Sequence, residues 1–151
     1  MTIERARPED APAVETLLAS AGLPLDGARE ALATGVVARA DGADGAGGAI
    51  VAAASVERYG ASGLLRSVVV AADRRGTGLG RQIVTAAEDL ARETGIVDLY
   101  LLTETAVDWF PRLGYEVVPR AEAAAAVGAS VEFTTLCRDS GVPMRRRIAS
   151  D

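Results

Sequence analysis

The sequence contains no histidine and no lysine, and only one cysteine, one tryptophan and two phenylalanines among its 151 residues. Without histidine the chain lacks the commonest metal ligand and the commonest general base, which argues against zinc enzymes and Ser-His-Asp hydrolases. The lone thiol, Cys137, makes neither an internal disulfide nor a thiolate cluster, so no metal is expected. Without lysine there is no Schiff-base chemistry and no GxxxxGK(S/T) phosphate loop. No apolar run approaches the roughly 18 residues of a membrane span, and both ends, Met1–Asp10 and Arg145–Asp151, are polar and charged. A cytoplasmic protein without a membrane partner is expected. Basic residues number 16, all arginine, against 21 acidic ones, and the net charge of -5 argues against nucleic acid as a partner. The arginine-only, alanine-rich usage fits a GC-rich genome or adaptation to salt and says little about chemistry.

Nearly half of the residues are apolar, enough to fill one core, so residues 1–151 are expected to form a single domain. Thr2–Ala6 alternates like a strand. Val14, Leu17, Leu18 and Ala21 then form one helical face that ends at Gly22 and Pro24. A short helix over 26–34 precedes strands at Val36–Ala40 and Ala49–Glu57, joined by a glycine- and aspartate-rich turn at 41–48. Leu64–Ala71 is an apolar strand interrupted by Arg66 and Ser67. A long helix over 78–94 carries Leu79, Ile83, Val84, Ala87, Leu90 and Ala91 on one face. Ile96–Leu102 reads as a strand buried on both sides. A helix at Ala106–Leu113, a strand at Tyr115–Val118, a helix at Pro119–Val127, a helical turn at Val131–Cys137 and a strand at Val142–Ile148 complete a mixed α/β order with one strand-helix-strand crossover. Arg145, Arg146 and Arg147 alternate on the last strand, as on a solvated edge or a dimer rim.

In Val68-Val69-Val70-Ala71-Ala72-Asp73-Arg74-Arg75-Gly76-Thr77-Gly78-Leu79-Gly80-Arg81 a buried strand turns through glycines directly into an amphipathic helix. A helix N-terminus presents backbone N–H groups without intrahelical partners and the positive end of the helix dipole, so it can hold a diphosphate through main chain alone. Glycine at 76, 78 and 80 removes Cβ atoms that would fend off phosphate oxygens, and Arg75 and Arg81 add charge at the rim. A glycine turn that merely reverses the chain would carry the same letters. A dinucleotide-binding Rossmann turn would need its third glycine one residue later and a place after the first strand.

These residues resemble the acetyl-CoA motif of the GNAT N-acetyltransferase superfamily, Gln/Arg-x-x-Gly-x-Gly/Ala, matched by Arg75, Gly78 and Gly80. The likeness extends to Leu99-Tyr100-Leu101-Leu102-Thr103, similar to that superfamily's fifth strand, and to Trp109-Phe110-Pro111-Arg112-Leu113-Gly114-Tyr115, similar to its (Y/F)xxLG(F/Y) segment. The resemblance implies the GNAT fold: a central twisted mixed sheet of about seven strands with flanking helices, and acetyl-CoA as co-substrate. It implies that Leu65–Val70 and Leu99–Thr103 line a gap between two splayed strands, with Val68, Val69, Val70, Thr77, Leu79 and Phe110 among the cofactor contacts. A main-chain N–H near Val69 or Val70 would polarise the thioester carbonyl. A homodimer is a family-level expectation.

A neutral amine must attack the thioester, so an ammonium acceptor has to lose a proton. With no histidine, the candidate bases are Glu57, at a strand end expected to face the acceptor, and then Glu104; either is also readable as a solvated strand-end charge. The tyrosine that serves as general acid in many of these enzymes is replaced by Phe110, which leaves Tyr100, Tyr115, water or unassisted thiolate departure. Gly63–Val70 resembles the "LRSLAV" stretch of short N-acetylglutamate synthases. Leu101–Thr103, Phe110–Tyr115 and Val131–Cys137 are similar to arsenic-resistance members of the superfamily. That branch implies a small amino-acid acceptor such as glutamate or its arsenic- and phosphorus-containing analogues. Arg66 is then the candidate carboxylate fork, with Ser67, Thr103 and Arg112 as further acceptor contacts. Arg66 reads equally as the partner of Glu57 or another carboxylate on a neighbouring strand. The alternatives are an enzyme for another small amine or a protein N-terminus, and a non-catalytic acyl-CoA sensor.

Overall fold

The computed structural model describes residues 1–41, 47–130 and 141–149. The expected helical turn at Val131–Cys137, Cys137 itself and most of the glycine-rich turn after residue 41 lie outside the described residues.

Strand β1 (Thr2–Arg5) leads through a 3-10 turn at Pro8–Asp10 into α1 (Ala11–Ser20). The next helix, α2, covers only Ala28–Ala31, because Gly27 takes a left-handed conformation (φ 75°) and starts it late; a 3-10 turn at Leu32–Thr34 comes after it. Strands β2 (Gly35–Asp41), β3 (Gly47–Tyr59) and β4 (Ser62–Val70) are next, then α3 (Leu79–Glu93) and β5 (Asp98–Thr103). Strand β5 starts later than the apolar run at Ile96, since the Ile96 N–H is spent on the Ala91 carbonyl as the helix closes. The helix expected over Ala106–Leu113 is reduced to a 3-10 turn at Phe110–Leu113. Pro111 within it has no N–H to continue an α-helical ladder. Strand β6 (Glu116–Val117), α4 (Arg120–Val127) and β7 (Val142–Arg147) complete the order.

The seven strands form one sheet in the order β1-β2-β3-β4-β5-β7-β6. The β4–β5 contact is the parallel one, as the α3 crossover between them requires; the other neighbours are antiparallel. Helix α3 packs the six apolar side chains of its expected face on one side of the sheet, against residues such as Val56, Leu65, Leu99 and Leu101. On the other side, α1 and α2 cover Val37, Ala53 and Val69, and α4 covers Leu64, Tyr100 and Leu102. The alternation of apolar residues along β4 and β5 therefore serves two cores at once.

The last strand is not the solvated edge expected from its arginines, because β7 lies between β5 and β6. Its arginines do alternate: Arg145 Nε donates to Asp98 Oδ2 at 3.0 Å, and Arg146 Nη1 donates to Glu88 at 2.7 Å beneath α3. A similar buried cluster ties β1 and β2 to the start of α1. Asp10 Oδ2 accepts from the Arg7 amide at 2.7 Å and from Arg39 Nη2 at 2.6 Å, while Arg39 Nε donates to Glu4. Burial pushes the Asp10 carboxyl up, but the Arg39 bond and the Arg7 amide outweigh it and hold it below its ordinary value of 3.8. A carboxyl lowered on folding stabilises the native state above its unfolded pKa and loses that contribution as pH falls through the folded value. Asp10→Asn should therefore lower stability by about 1–3 kcal/mol near neutral pH. In urea melts the difference from wild type should shrink as pH falls below 3.8.

Candidate functional site

Strands β4 and β5 pair over three positions, Ser62 with Asp98, Gly63 with Leu99 and Leu64 with Tyr100, and then part. Beyond that point β4 continues to Val70 against β3, and β5 continues to Thr103 against β7. Among the described residues the β5-facing edge of β4 thus has no neighbouring strand from Leu65 onward, and a gap opens toward the C-terminal ends of two parallel strands. On the β4 side the gap covers the expected residues, Leu65 to Val70. On the β5 side it begins at Leu101, because Leu99 and Tyr100 still belong to the paired part.

A bulge in β4 accompanies the separation. Ser67 and Val68 sit between the pairs Ser55–Arg66 and Ala53–Val69, and Ser67 has φ 57°, a left-handed conformation that only glycine shares among the described residues. An extra residue in one strand bends it and increases its twist, which re-aims the main chain of Val68 and Val69.

At the end of β4 the chain passes a 3-10 turn (Ala72–Arg74) and reaches α3 through Arg75–Gly78. Gly76 and Gly78 have φ 79° and 85°, and the space where their Cβ atoms would lie is open. Among the described residues no side chain caps α3, and its first turn carries no acidic residue. An open cradle of amides at the positive end of a 15-residue helix fits a diphosphate. Gly80 has a different reason to be glycine: a Cβ there would lie 2.9 Å from the Trp109 ring. Arg75 Nε donates to the Val70 carbonyl at 3.2 Å, and the Thr77 hydroxyl donates to the Arg74 carbonyl at 2.5 Å, so both brace the turn. Leu79, the first residue of α3, is buried. Arg81 Nη2 donates to the Arg112 carbonyl at 3.3 Å, and both residues line a groove of about 390 Å³ that also holds Arg92 and Arg146.

On the α1/α4 side of the sheet, Arg66 and Glu57 form an ion pair at 3.0 Å. The Arg66 side chain is 0% exposed: Nη1 donates to Glu57 Oε2, Nη2 to the Asp26 carbonyl at 2.7 Å and Nε to Ser67 Oγ at 3.2 Å. Glu57, 17% exposed, accepts on Oε1 from the hydroxyls of Tyr59 and Ser130, each at 2.7 Å. The reading of Arg66 as the partner of Glu57 is thus realised, with the loop before α2 tied to the same guanidinium.

The remaining candidates are dispersed. Glu104 is exposed just beyond β5, and Thr103 Oγ1 accepts from the Ala106 amide at 2.9 Å. Tyr100 lies buried beneath α4 with its hydroxyl donating to Glu122; burial first, then Asp98 and Glu122, raise its pKa. Phe110 is buried between Trp109 and Tyr115, ring centroids 4.9 and 5.6 Å away. The Tyr115 hydroxyl donates to buried Glu88 at 2.9 Å and is pushed far above a normal phenol, mainly by burial, which removes it from proton transfer near neutral pH. Tyr59, Ser130 and the Asp26 carbonyl are not among the residues expected from the sequence. Tyr59 lies two residues beyond Glu57 on one strand face, a signal available in the sequence; Ser130 is 73 positions from Glu57 and carries none.

None of the curated proteins compared with the chain matches it in sequence. Solved structures do match in fold. Rv2747 from Mycobacterium tuberculosis, in complex with CoA and NLQ, superposes with a TM-score of 0.76 at 20% identity, over 97% of this chain and 99% of its own. N-acetylglutamate synthase from Neisseria gonorrhoeae, complexed with coenzyme A and N-acetyl-glutamate, gives 0.80 at 18% identity over 99% of this chain; the match spans 35% of the synthase. The ribosomal-protein-S18-alanine N-acetyltransferase from Escherichia coli gives 0.69 at 15% identity, covering 99% of this chain and 95% of that one. At such identities the likeness is one of fold. The family model of the acetyltransferase (GNAT) domain, however, matches residues 32–117, which contain the splayed strands, the bulge and the glycine turn. More than half of the sequence is covered by that match, and the chain belongs to the GNAT family as an acetyl-CoA-dependent N-acetyltransferase.

Proposed function

We propose that the enzyme acetylates the primary amine of a small amino-acid-like acceptor, glutamate or a glutamate analogue such as an arsenic- or phosphorus-containing one. The observation that carries this reading is Arg66, a buried guanidinium one residue from the β4 bulge. Among the described residues Nη1 meets the Glu57 carboxylate, Nη2 the Asp26 carbonyl and Nε the Ser67 hydroxyl. An acceptor carboxylate arriving at Nη2 in place of the Asp26 carbonyl replaces a neutral acceptor with an ionised one, so that both partners of the bond carry charge. The N-acetyl-glutamate in the Neisseria synthase, a protein of the same fold, agrees with that chemistry. A second reading, an amine without a carboxylate, rests on the same pair, since Glu57 already balances the charge of Arg66.

Acetyl-CoA supplies the activated acetyl group. In this reading the residues Arg75–Arg81 hold its pyrophosphate at the N-terminus of α3, and the free edge of β4 from Leu65 to Val70 orients the pantetheine and thioester. A main-chain N–H near the bulge, at Val69 or Val70, stabilises the developing oxyanion. Glu57 takes the proton from the acceptor ammonium. Phe110 has no proton to give, and the thiolate, with an ordinary pKa of about 8.5, leaves without help from that position.

Gly78→Glu should abolish acetyl-CoA binding, measured by calorimetry, because it sets bulk and negative charge in the cradle. Gly78→Ala carries the same backbone strain without the charge and should lose only about tenfold or less. Equal affinities for the two variants would contradict the pyrophosphate assignment. Acetyl-CoA-dependent CoA release should occur with glutamate or its phosphinate and arsenical analogues, and not with a polyamine or an N-terminal peptide. Arg66→Ala should raise KM for that acceptor roughly 10- to 100-fold and leave the Kd for acetyl-CoA unchanged. Unchanged acceptor kinetics would take Arg66 out of the site.

A further inference from the structure

The Glu57 carboxylate is held by groups from three separate parts of the chain. Arg66 reaches it from β4, Tyr59 from the end of its own strand, and Ser130 from the residues just after α4. The bonds are unevenly distributed. Oε1 accepts two hydroxyl donors at 2.7 Å each, while Oε2 accepts Arg66 Nη1 at 3.0 Å. A carboxylate offers about four lone-pair sites, two on each oxygen. Among the described residues both sites of Oε1 are taken, and one of Oε2 is left.

We infer that Tyr59 and Ser130 are positioning residues for the acetyl transfer, which saturate Oε1 of Glu57 and leave Oε2 as the atom that receives the acceptor's proton. The inference rests on the reading of Glu57 as the base and adds the atom and the residues that select it. A glutamate side chain has up to about 2 kcal/mol of rotamer freedom to lose, and two donors on one oxygen fix its orientation before the acceptor arrives. Each donor suits the task. The Tyr59 hydroxyl is raised above an ordinary phenol, first by burial and then by its bond to Glu57, so it stays protonated at neutral pH and keeps donating. Ser130 is almost fully buried, where a hydroxyl without a strong acceptor would be costly. The three groups form one connected cluster with Arg66 on its far side. In the transfer an N–H bond of the acceptor ammonium breaks and an O–H bond forms at Oε2; the amine lone pair then forms the C–N bond, the C–S bond breaks with its pair on sulfur, and the second proton lost by the nitrogen passes to the departing thiolate.

The test is kinetic, on Tyr59→Phe, Ser130→Ala, the double variant and Ser130→Thr, with acetyl-CoA affinity and thermal unfolding measured alongside. A carboxylate that loses hydroxyl donors holds a proton more readily, so the acidic limb of the kcat/KM profile should move to higher pH. The double variant should lose about 10- to 100-fold in kcat with acetyl-CoA binding unchanged. Ser130→Thr, which keeps the hydroxyl, should retain the wild-type limb. Tyr59→Phe keeps the ring and the packing, so its pH profile stays readable even where Ser130→Ala lowers stability. An unmoved limb and undiminished kcat in the folded variants, in an enzyme that Glu57→Gln inactivates, would overturn the positioning role alone. Full activity in Glu57→Gln would overturn the base assignment and this inference together.

Discussion

Strand β4 is flanked by strands on both edges for only three residues, and the shape of the site depends on how the chain ends that pairing. Gly63 allows the close approach that starts it: a Cβ there would lie 2.9 Å from both Leu99 and Val56 side chains. Past Leu64 the two parallel strands take different partners, and the extra residue at Ser67 bends β4 as it goes. Backbone polar groups on a strand edge need partners, and an edge inside the protein is either covered or made available to a ligand. Here the free edge runs along β4 towards the N-terminus of α3, the longest helix among the described residues, which starts at a glycine without a side-chain cap. A linear ligand with amides in its middle and phosphates at one end matches both features at once.

Charge in the interior obeys a second constraint. The buried ionisable acids and bases among the described residues each meet an opposite charge: Asp10 with Arg39, Glu88 with Arg146, Asp98 with Arg145, and Arg66 with Glu57. Burying such pairs costs desolvation that their attraction only partly returns, and breaking one leaves a costlier lone charge. Three of these pairs brace elements of the fold. The fourth lies beside the bulge, and its acid alone carries two further hydroxyl donors on one oxygen. That asymmetry separates Glu57 from the bracing carboxylates.

Much of this architecture is legible in the residues alone. The amphipathic period of α3, the apolar runs of β4 and β5 and the glycines between them specify a strand-helix-strand unit, and Arg66 inside an apolar strand requires a partner. Local chemistry moves the boundaries: Gly27 delays α2, and Pro111 turns an expected helix into a 3-10 turn. Strand order is a property of the whole sheet, so three arginines in a row suggest an edge where β7 is in fact flanked on both sides. Long-range partners leave no trace either. Nothing near Ser130 announces Glu57, and nothing near Gly80 announces the Trp109 ring that excludes a side chain there.

The central claim is that the parted strands and the uncapped helix form one continuous acetyl-CoA site. Its most direct test is a titration of the isotopically labelled protein with acetyl-CoA, monitored through the backbone amide resonances. The largest shifts are expected at Leu65–Val70 and at Gly76–Arg81, in a single saturating transition, with little change along β1 and β2. Saturation with those two segments undisturbed would contradict it.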